Sequence, residues 1–201
     1  MPKLIDHQNK KQSIAEAAWK VVLKHGWEGT SVRNIAKEAE LSLGSLRYYF
    51  STQEELYEYA KDLVHKRLTE RIDEIFKEDI SPKVKIIRVL LELIPGGGRL
   101  KLETEARLVF KLHVRHEEKD FEVQQDSVYA AVKNVMSNLV LLNLLNREAD
   151  LNLETERLYA LMDGMALDAM LRKREGKIER AKKLIIAHLN SICKEEMDDG
   201  L

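Results

Sequence analysis

Apolar residues recur at helical spacing along most of this chain, and alternation of the kind that marks strands is scarce. A first stripe of Ile14, Ala17, Ala18, Val21 and Val22 predicts a helix over about 9–25, ending before Gly26. Ser31 then stands as a cap ahead of Val32, Ile35, Ala36 and Ala39, spaced i, i+3, i+4 and i+7. Glu40, Leu41 and Ser42 read as a turn, with Ser42 capping a third helix of only about seven residues anchored by Leu46 and Phe50. Ser51 with Glu54 forms a capping-box pattern, and a long stripe from Leu56 through Leu63, Leu68 and Ile75 carries a fourth helix to about 78. Ser81-Pro82 opens a fifth helix with a cap and a first-turn proline, and Pro95-Gly96-Gly97-Gly98 breaks it. Four more helices are expected at about 100–115, 120–145, 153–173 and 176–197. The prediction is an all-α chain of about nine helices.

The second and third helices form the most telling pair. A helix of seven residues with two inward anchors cannot hold itself together, because nucleation is costly. It needs support from neighbours, and its outward row of Leu43, Ser45, Arg47, Tyr48 and Tyr49 then calls for a partner. Two short helices joined by a tight polar turn have the pattern of a helix-turn-helix, whose second helix enters a DNA groove. Ser45 and Arg47 are the candidate base readers, and Leu43 can meet a thymine methyl. Thr30, Ser31 and Arg33 are expected to face the phosphate backbone. Arg33 has an alternative in pairing with a nearby carboxylate. Tyr48 or Tyr49 can donate a hydroxyl to phosphate; one of the two rings is expected to be partly core, and Tyr49 is the preferred phosphate donor. Gly44 leaves room for close approach.

These residues resemble the N-terminal DNA-binding region of the TetR family of bacterial transcriptional regulators. The resemblance is carried by Thr30 and Ser31, Arg33, Ile35-Ala36, Ala39, Ser42, Gly44, Leu46, Tyr48-Tyr49 and Phe50, then Glu54 and Leu56. It covers about residues 10–60. The stretch LYALMDGMALDAML at 158–171 is similar to the C-terminal helices of the choline-responsive repressor group. Three positions depart from the family pattern. Glu40 stands where glycine is usual, so the turn is either looser or left-handed at some cost. Arg47 replaces a common tyrosine with a charged fork suited to phosphate or guanine. Gln53 replaces a common lysine, which weakens one phosphate contact. The resemblance implies a DNA-binding head at 1–51 and an effector-binding and dimerisation body at 52–201. It also implies a homodimeric regulator, of a class in which a small molecule releases a repressor from a palindromic operator.

Composition narrows the remaining choices. The 201 residues hold 33 Lys+Arg against 34 Asp+Glu, which argues against a general nucleic-acid coat. Residues 1–50 hold eight basic and five acidic residues, net +3, and the rest hold 25 and 29, net −4. A basic head on an acidic body suits contact with DNA at one end. Cys193 is the single cysteine, so no internal disulfide forms. With no signal-peptide core and no membrane-length apolar run, a cytoplasmic protein is expected. The Gly96–Gly98 run lacks the flanking strand and Lys-Ser/Thr of a phosphate loop, and no cofactor motif or catalytic triad is recognisable.

Within the body, candidate effector contacts are Phe110, His113, Tyr129, Met136, Met162, Met165 and Asp168, since methionine-rich walls adapt to apolar or amphipathic ligands. A methionine stripe fits plain core equally well, and Asp168 fits an exposed place. His113, His116 and Glu117 have a spacing open to metal, without a third ligand at a telling distance. The stripes of the last two helices suit either monomer core or a dimer face. The resemblance implies the second, with Leu161, Met165, Ala169, Leu184, Ile185, His188 and Ile192 as the interface. A helical enzyme or carrier and a protein–protein adaptor are the alternatives from other classes.

Overall fold

A computed structural model describes residues 2–26, 29–96, 98–116, 126–172 and 175–198, excepting the side chains of 2–5, 98–99 and 112–116. Nine helices and no strand occur among the described residues. They are α1 (Pro2–His25), α2 (Val32–Glu38), α3 (Leu43–Tyr49), α4 (Gln53–Lys77), α5 (Pro82–Glu92), α6 (Gly98–His116), α7 (Ser127–Leu141), α8 (Leu151–Leu171) and α9 (Lys177–Ile192). The chain forms two compact units. The first comprises residues 1–67 and 98–121, and the second 68–97 and 122–201. The division falls within α4, and α6 belongs with the head helices.

In the first unit, α1 serves two small cores from two faces. Ile14, Ala17, Ala18 and Val21 pack with Ile35, Ala36, Leu46, Phe50 and Leu56, which fixes α2 and α3. Ala15 and Trp19 pack with Ala60, Leu63, Val64 and Ala106, which seats α4 and α6. The second of these cores is closed by charge. Arg67 donates to Glu16 at 2.6 Å and to Glu103 at 3.1 Å, and its guanidinium lies 5.5 Å from the centre of the Trp19 ring. Glu103 is only 1% exposed, so the ion pair joining α1, α4 and α6 is a buried one.

The second unit has one continuous aliphatic core from α5, α7, α8 and α9 and the last turns of α4. Helix caps agree with the chemistry of their residues. Ser81, Asp126 and Asp150 each accept from a backbone N–H in the first turn of α5, α7 and α8. Asp126 also accepts from Tyr159 at 2.8 Å inside the unit.

Several boundaries differ from expectation for local reasons. α1 starts at Pro2, because a proline at the first helical position initiates well and no breaker follows it. The cap of α4 sits one residue later than expected. Glu55, not Glu54, donates its N–H to the Thr52 hydroxyl oxygen, and its carboxylate accepts from the N–H and hydroxyl of Ser51. α9 stops at Ile192 because the chain turns back to pair with 144–146. The N–H of Asn146 bonds the Ile192 carbonyl, and that of Lys194 bonds the Leu144 carbonyl. Met197 then buries itself in the same core.

Candidate nucleic-acid interface

The geometry of the interface begins with the ends of α2 and α3. Ser31 accepts from the Asn34 N–H at 3.2 Å, and Ser42 accepts from the Ser45 N–H at 3.0 Å. Between them Glu40 takes the left-handed conformation, φ 55°. The Leu41 N–H reaches the Ala36 carbonyl at 2.8 Å, and the Glu40 N–H reaches Lys37 at 3.2 Å. This paired closure is the Schellman arrangement, with Leu41 packed on the head core as its apolar clasp. The turn is therefore tight despite the missing glycine. The cost is a strained φ at Glu40.

On α3 the inward side is Leu46, 1% exposed, followed by Phe50, also 1%. Ser45, Arg47 and Tyr48 are exposed, and Leu43 and Tyr49 are half-buried. The Ser42 and Ser45 hydroxyls lie 2.8 Å apart, which ties the first turn together. Gly44 is exposed, and a Cβ there would meet only the Ser42 hydroxyl, at 3.9 Å. Among the described residues, Arg33 and Arg47 have no ion-pair partner, and both are exposed. Arg33 thus does not take the carboxylate pairing considered for it. The two tyrosines divide their roles: Tyr49 leans on the head core, while Tyr48 is 75% exposed. The ring most available to a phosphate is Tyr48.

Two of the expected contact residues point elsewhere. Thr30 is 7% exposed and donates its hydroxyl to the Gly26 carbonyl at 2.6 Å, which closes the end of α1. Its side chain is occupied, whereas those of Ser31 and Arg33 are exposed. Gln53 is half-buried and donates to the Thr30 carbonyl and the Tyr57 hydroxyl, bracing the base of the turn. Sequence reasoning missed His7. Its ring lies 4.9 Å from that of Tyr49 and 5.9 Å from that of Tyr48. The signal that could have found it was Pro2 as a helix start, which carries α1 two turns further.

The candidate effector residues are not gathered. Met136 and Met162 are each 1% exposed and packed into the second unit's core. Phe110 packs with Trp19 and α4 in the first unit. Tyr129 crosses Tyr159 edge-on at 5.2 Å and donates to Glu156 at 3.0 Å. The side chains of His113 and His116, and Glu117 altogether, lie outside the described residues. Met165 and Asp168 do come together, in a groove of about 560 Å³ lined by α8, the start of α9 and Ile94. There Asp168 pairs with Arg172 at 2.6 Å instead of standing free in solvent.

The residues expected at a dimer face divide by side. Met165, Ala169, Ile185 and Ile192 pack inside the unit's own core. Leu184, 39% exposed, and the half-buried Leu161 and His188 lie outward. The helical period explains the split, since a wide stripe covers both an inner and an outer face. Burial pushes the His188 imidazole below its ordinary pKa, aided by Arg157 and opposed by Glu154.

Comparison with known proteins gives two family matches along the chain. Residues 14–60 match the family described as bacterial regulatory proteins, tetR family, and residues 82–194 match the BetI-type transcriptional repressor C-terminal family. The chain is 44% identical over 196 residues to the HTH-type transcriptional regulator PksA of Bacillus subtilis (strain 168), covering 98% of this chain and 96% of that protein. A transcriptional regulator from Rhodococcus sp. Rha1 superposes with a TM-score of 0.74 at 23% identity, over 90% of this chain and 95% of the other. A regulator from Saccharomonospora viridis, in complex with choline, gives 0.73 at 21% identity, over 94% of this chain and all of that one (100%). At these identities the two structures speak for the fold. Among the described residues no helix is long and apolar enough to cross a membrane. With a helix-turn-helix matched at one end and a repressor body at the other, the chain belongs to the TetR family of DNA-binding transcriptional regulators, a family of regulators and not of enzymes.

Proposed function

We propose that the protein is a homodimeric, effector-responsive repressor, acting in the cytoplasm, that leaves a palindromic operator when a small molecule binds its body. In this division residues 1–51 read DNA, and 52–201 bind effector and partner. The observation that carries the reading is the outward row of α3, Ser45, Arg47 and Tyr48, on a helix capped at its start by Ser42 and held by Leu46 and Phe50. Arg47 offers its fork to guanine, Leu43 and Ser45 touch neighbouring base edges, and Ser31, Arg33 and the tyrosines hold phosphates. A dimer would set two copies of α3 in successive major grooves, with half-sites about one helical turn apart or a multiple of that.

The outward face of α8 and α9 supports self-association. Leu167 (43% exposed), Leu171 (71%) and Leu184 (39%) are apolar there, and Gly164 has nothing within 4 Å of where a Cβ would stand. The effector reading rests on the groove with Met165 and Asp168, which shares Gly164 and Leu184 with that face and so would be closed by the second protomer; its floor is aliphatic and its rim carries Arg172, Lys177 and Arg180 against Asp168 and Glu175. An apolar floor with a charged rim suits a small amphipathic molecule. Among the described residues that line the groove none is aromatic, and they form no cage for a quaternary ammonium such as the choline in complex with the Saccharomonospora viridis regulator. Coupling requires only that effector and operator favour different separations of the heads.

Binding to the promoter of its own gene, followed by anisotropy at rising salt, tests the function. Specific, salt-sensitive binding by a dimer is expected. Arg47→Ala should lower specific affinity by about 1–3 kcal/mol, with the unfolding midpoint unchanged. Equal affinity of the variant and the parent would remove Arg47 from the readout, and absence of any sequence preference in the parent would remove the function itself.

A further inference from the structure

We infer that His7, on the N-terminal turns of α1, is a positioning residue for operator binding: it holds the Tyr48 and Tyr49 rings at the edge of α3 in the orientation in which their hydroxyls meet phosphate. This rests on the operator-binding reading above and adds a residue that neither the helix-turn-helix pattern nor the matched stretch 14–60 contains.

The three rings form one cluster. His7 lies tilted on Tyr49, 4.9 Å between centroids at 41°, and meets Tyr48 edge-on at 5.9 Å and 76°. Tyr48 and Tyr49 cross at 5.2 Å and 86°. Such edge and tilted contacts match the preferred geometries of aromatic pairs. Tyr49 has a second support in the head core, whereas Tyr48 is 75% exposed and, among the described residues, has aromatic contacts to His7 and Tyr49 alone. A tyrosine that exposed would otherwise sample several rotamers, and fixing it on DNA would cost ordering entropy. With His7 in place that ordering is present before DNA arrives. His7 itself is half-buried and sits on a helix continuous from Pro2, so it is supplied by rigid backbone.

A positioning role differs from a direct charge contact in what rescues it. With the full-length protein and its operator, His7→Ala should weaken binding about three- to tenfold, the range one aromatic pair supplies. His7→Phe should restore most of that loss, because ring packing is kept. The slope of affinity against salt should be the same for parent and His7→Ala, since no phosphate charge is neutralised by this residue. In a Tyr48→Phe/Tyr49→Phe background, His7→Ala should have almost no further effect, because the hydroxyls it places are gone. A purely structural role would instead persist in that background and shift the unfolding midpoint. The inference is overturned if His7→Ala binds as the parent does, or if it loses affinity equally with and without the two hydroxyls. It is also overturned if His7→Lys restores binding where His7→Phe does not, with the salt slope reduced by about one contact. A parent protein that binds no operator, in the same assay, rejects the regulator reading instead.

Discussion

The two units differ in how their buried carboxylates are paired. In the first, the Arg67 guanidinium meets carboxylates from two other helices, Glu16 and Glu103, and covers Trp19. In the second, the Glu154 Oε2 and His188 Nε2 atoms are buried without a hydrogen-bond partner among the described residues, as is the Trp19 Nε1 in the first. Glu154 does receive Arg157 on its other oxygen, at 2.7 Å, but one lone-pair set remains unmatched. Buried polar atoms without partners cost free energy, so a stable protein seldom leaves them that way. The difference teaches where buried charge joins helices. In the first unit the buried Glu103 carboxylate is tied to a cation from another helix, whereas Glu154 meets Arg157 of its own helix. The second unit carries unmet polar atoms on α8 and α9, the helices proposed to meet a second protomer.

The largest effect should come from breaking that link. Arg67→Ala removes the pairs that join Glu16 and the buried Glu103 to α4, and about 3–5 kcal/mol of stability should be lost from the first unit. Denaturant unfolding followed at Trp19 measures it, and a loss below about 1 kcal/mol would show the pair to be solvated. A smaller effect should follow from acid in the second unit. The folded state lowers the pKa of His188, so it prefers the neutral ring. That contribution is complete above the unfolded value, about 6.5, and is lost as pH falls through the folded value. Melting temperature should therefore drop, as pH falls below about 6.5, more in the parent than in His188→Gln. Parallel curves would show that protonation of this ring does not oppose folding.

The smallest effect sharpens a matched pair of turns. α2 and α7 both end in the Schellman arrangement, with Glu40 at φ 55° in the first and Asn143 at φ 56° in the second. Asparagine tolerates that region and glutamate does not. Glu40→Gly should therefore stabilise the head by about 0.5–1 kcal/mol. Asn143→Gly should change the second unit by less, and equal gains at both sites would mean that the glutamate carries no special strain.

Much of the head was legible because its signals are local. Ser31 and Ser42 announce helix starts three residues ahead of the N–H they cap, and the Val32–Ile35–Ala36 spacing sets a single buried face. Glu40 in a left-handed turn was one of two alternatives the sequence left open. Thr30 was illegible for the opposite reason: its hydroxyl is taken by Gly26, across a turn whose path no spacing rule gives. In the body, the stripes on α8 and α9 are wide enough to serve two faces. Period alone therefore could not tell Ile185, which is in the core, from Leu184, which is not. The effector candidates failed to gather because methionine marks an apolar face, and only tertiary packing decides whether that face is filled.

The return of the chain after α9 has a practical outcome for labelling. Cys193 pairs with Leu145 through the backbone and is half-buried, and burial raises its thiol pKa while the nearby Lys83 only partly offsets this. Alkylating reagents require the thiolate. At neutral pH maleimide dyes should find this sulfur slowly, and a bulky adduct would prise the tail from its seat against 144–146. Reporter groups for distance measurements belong on engineered cysteines at exposed helix positions, with the native thiol left in place as a silent background.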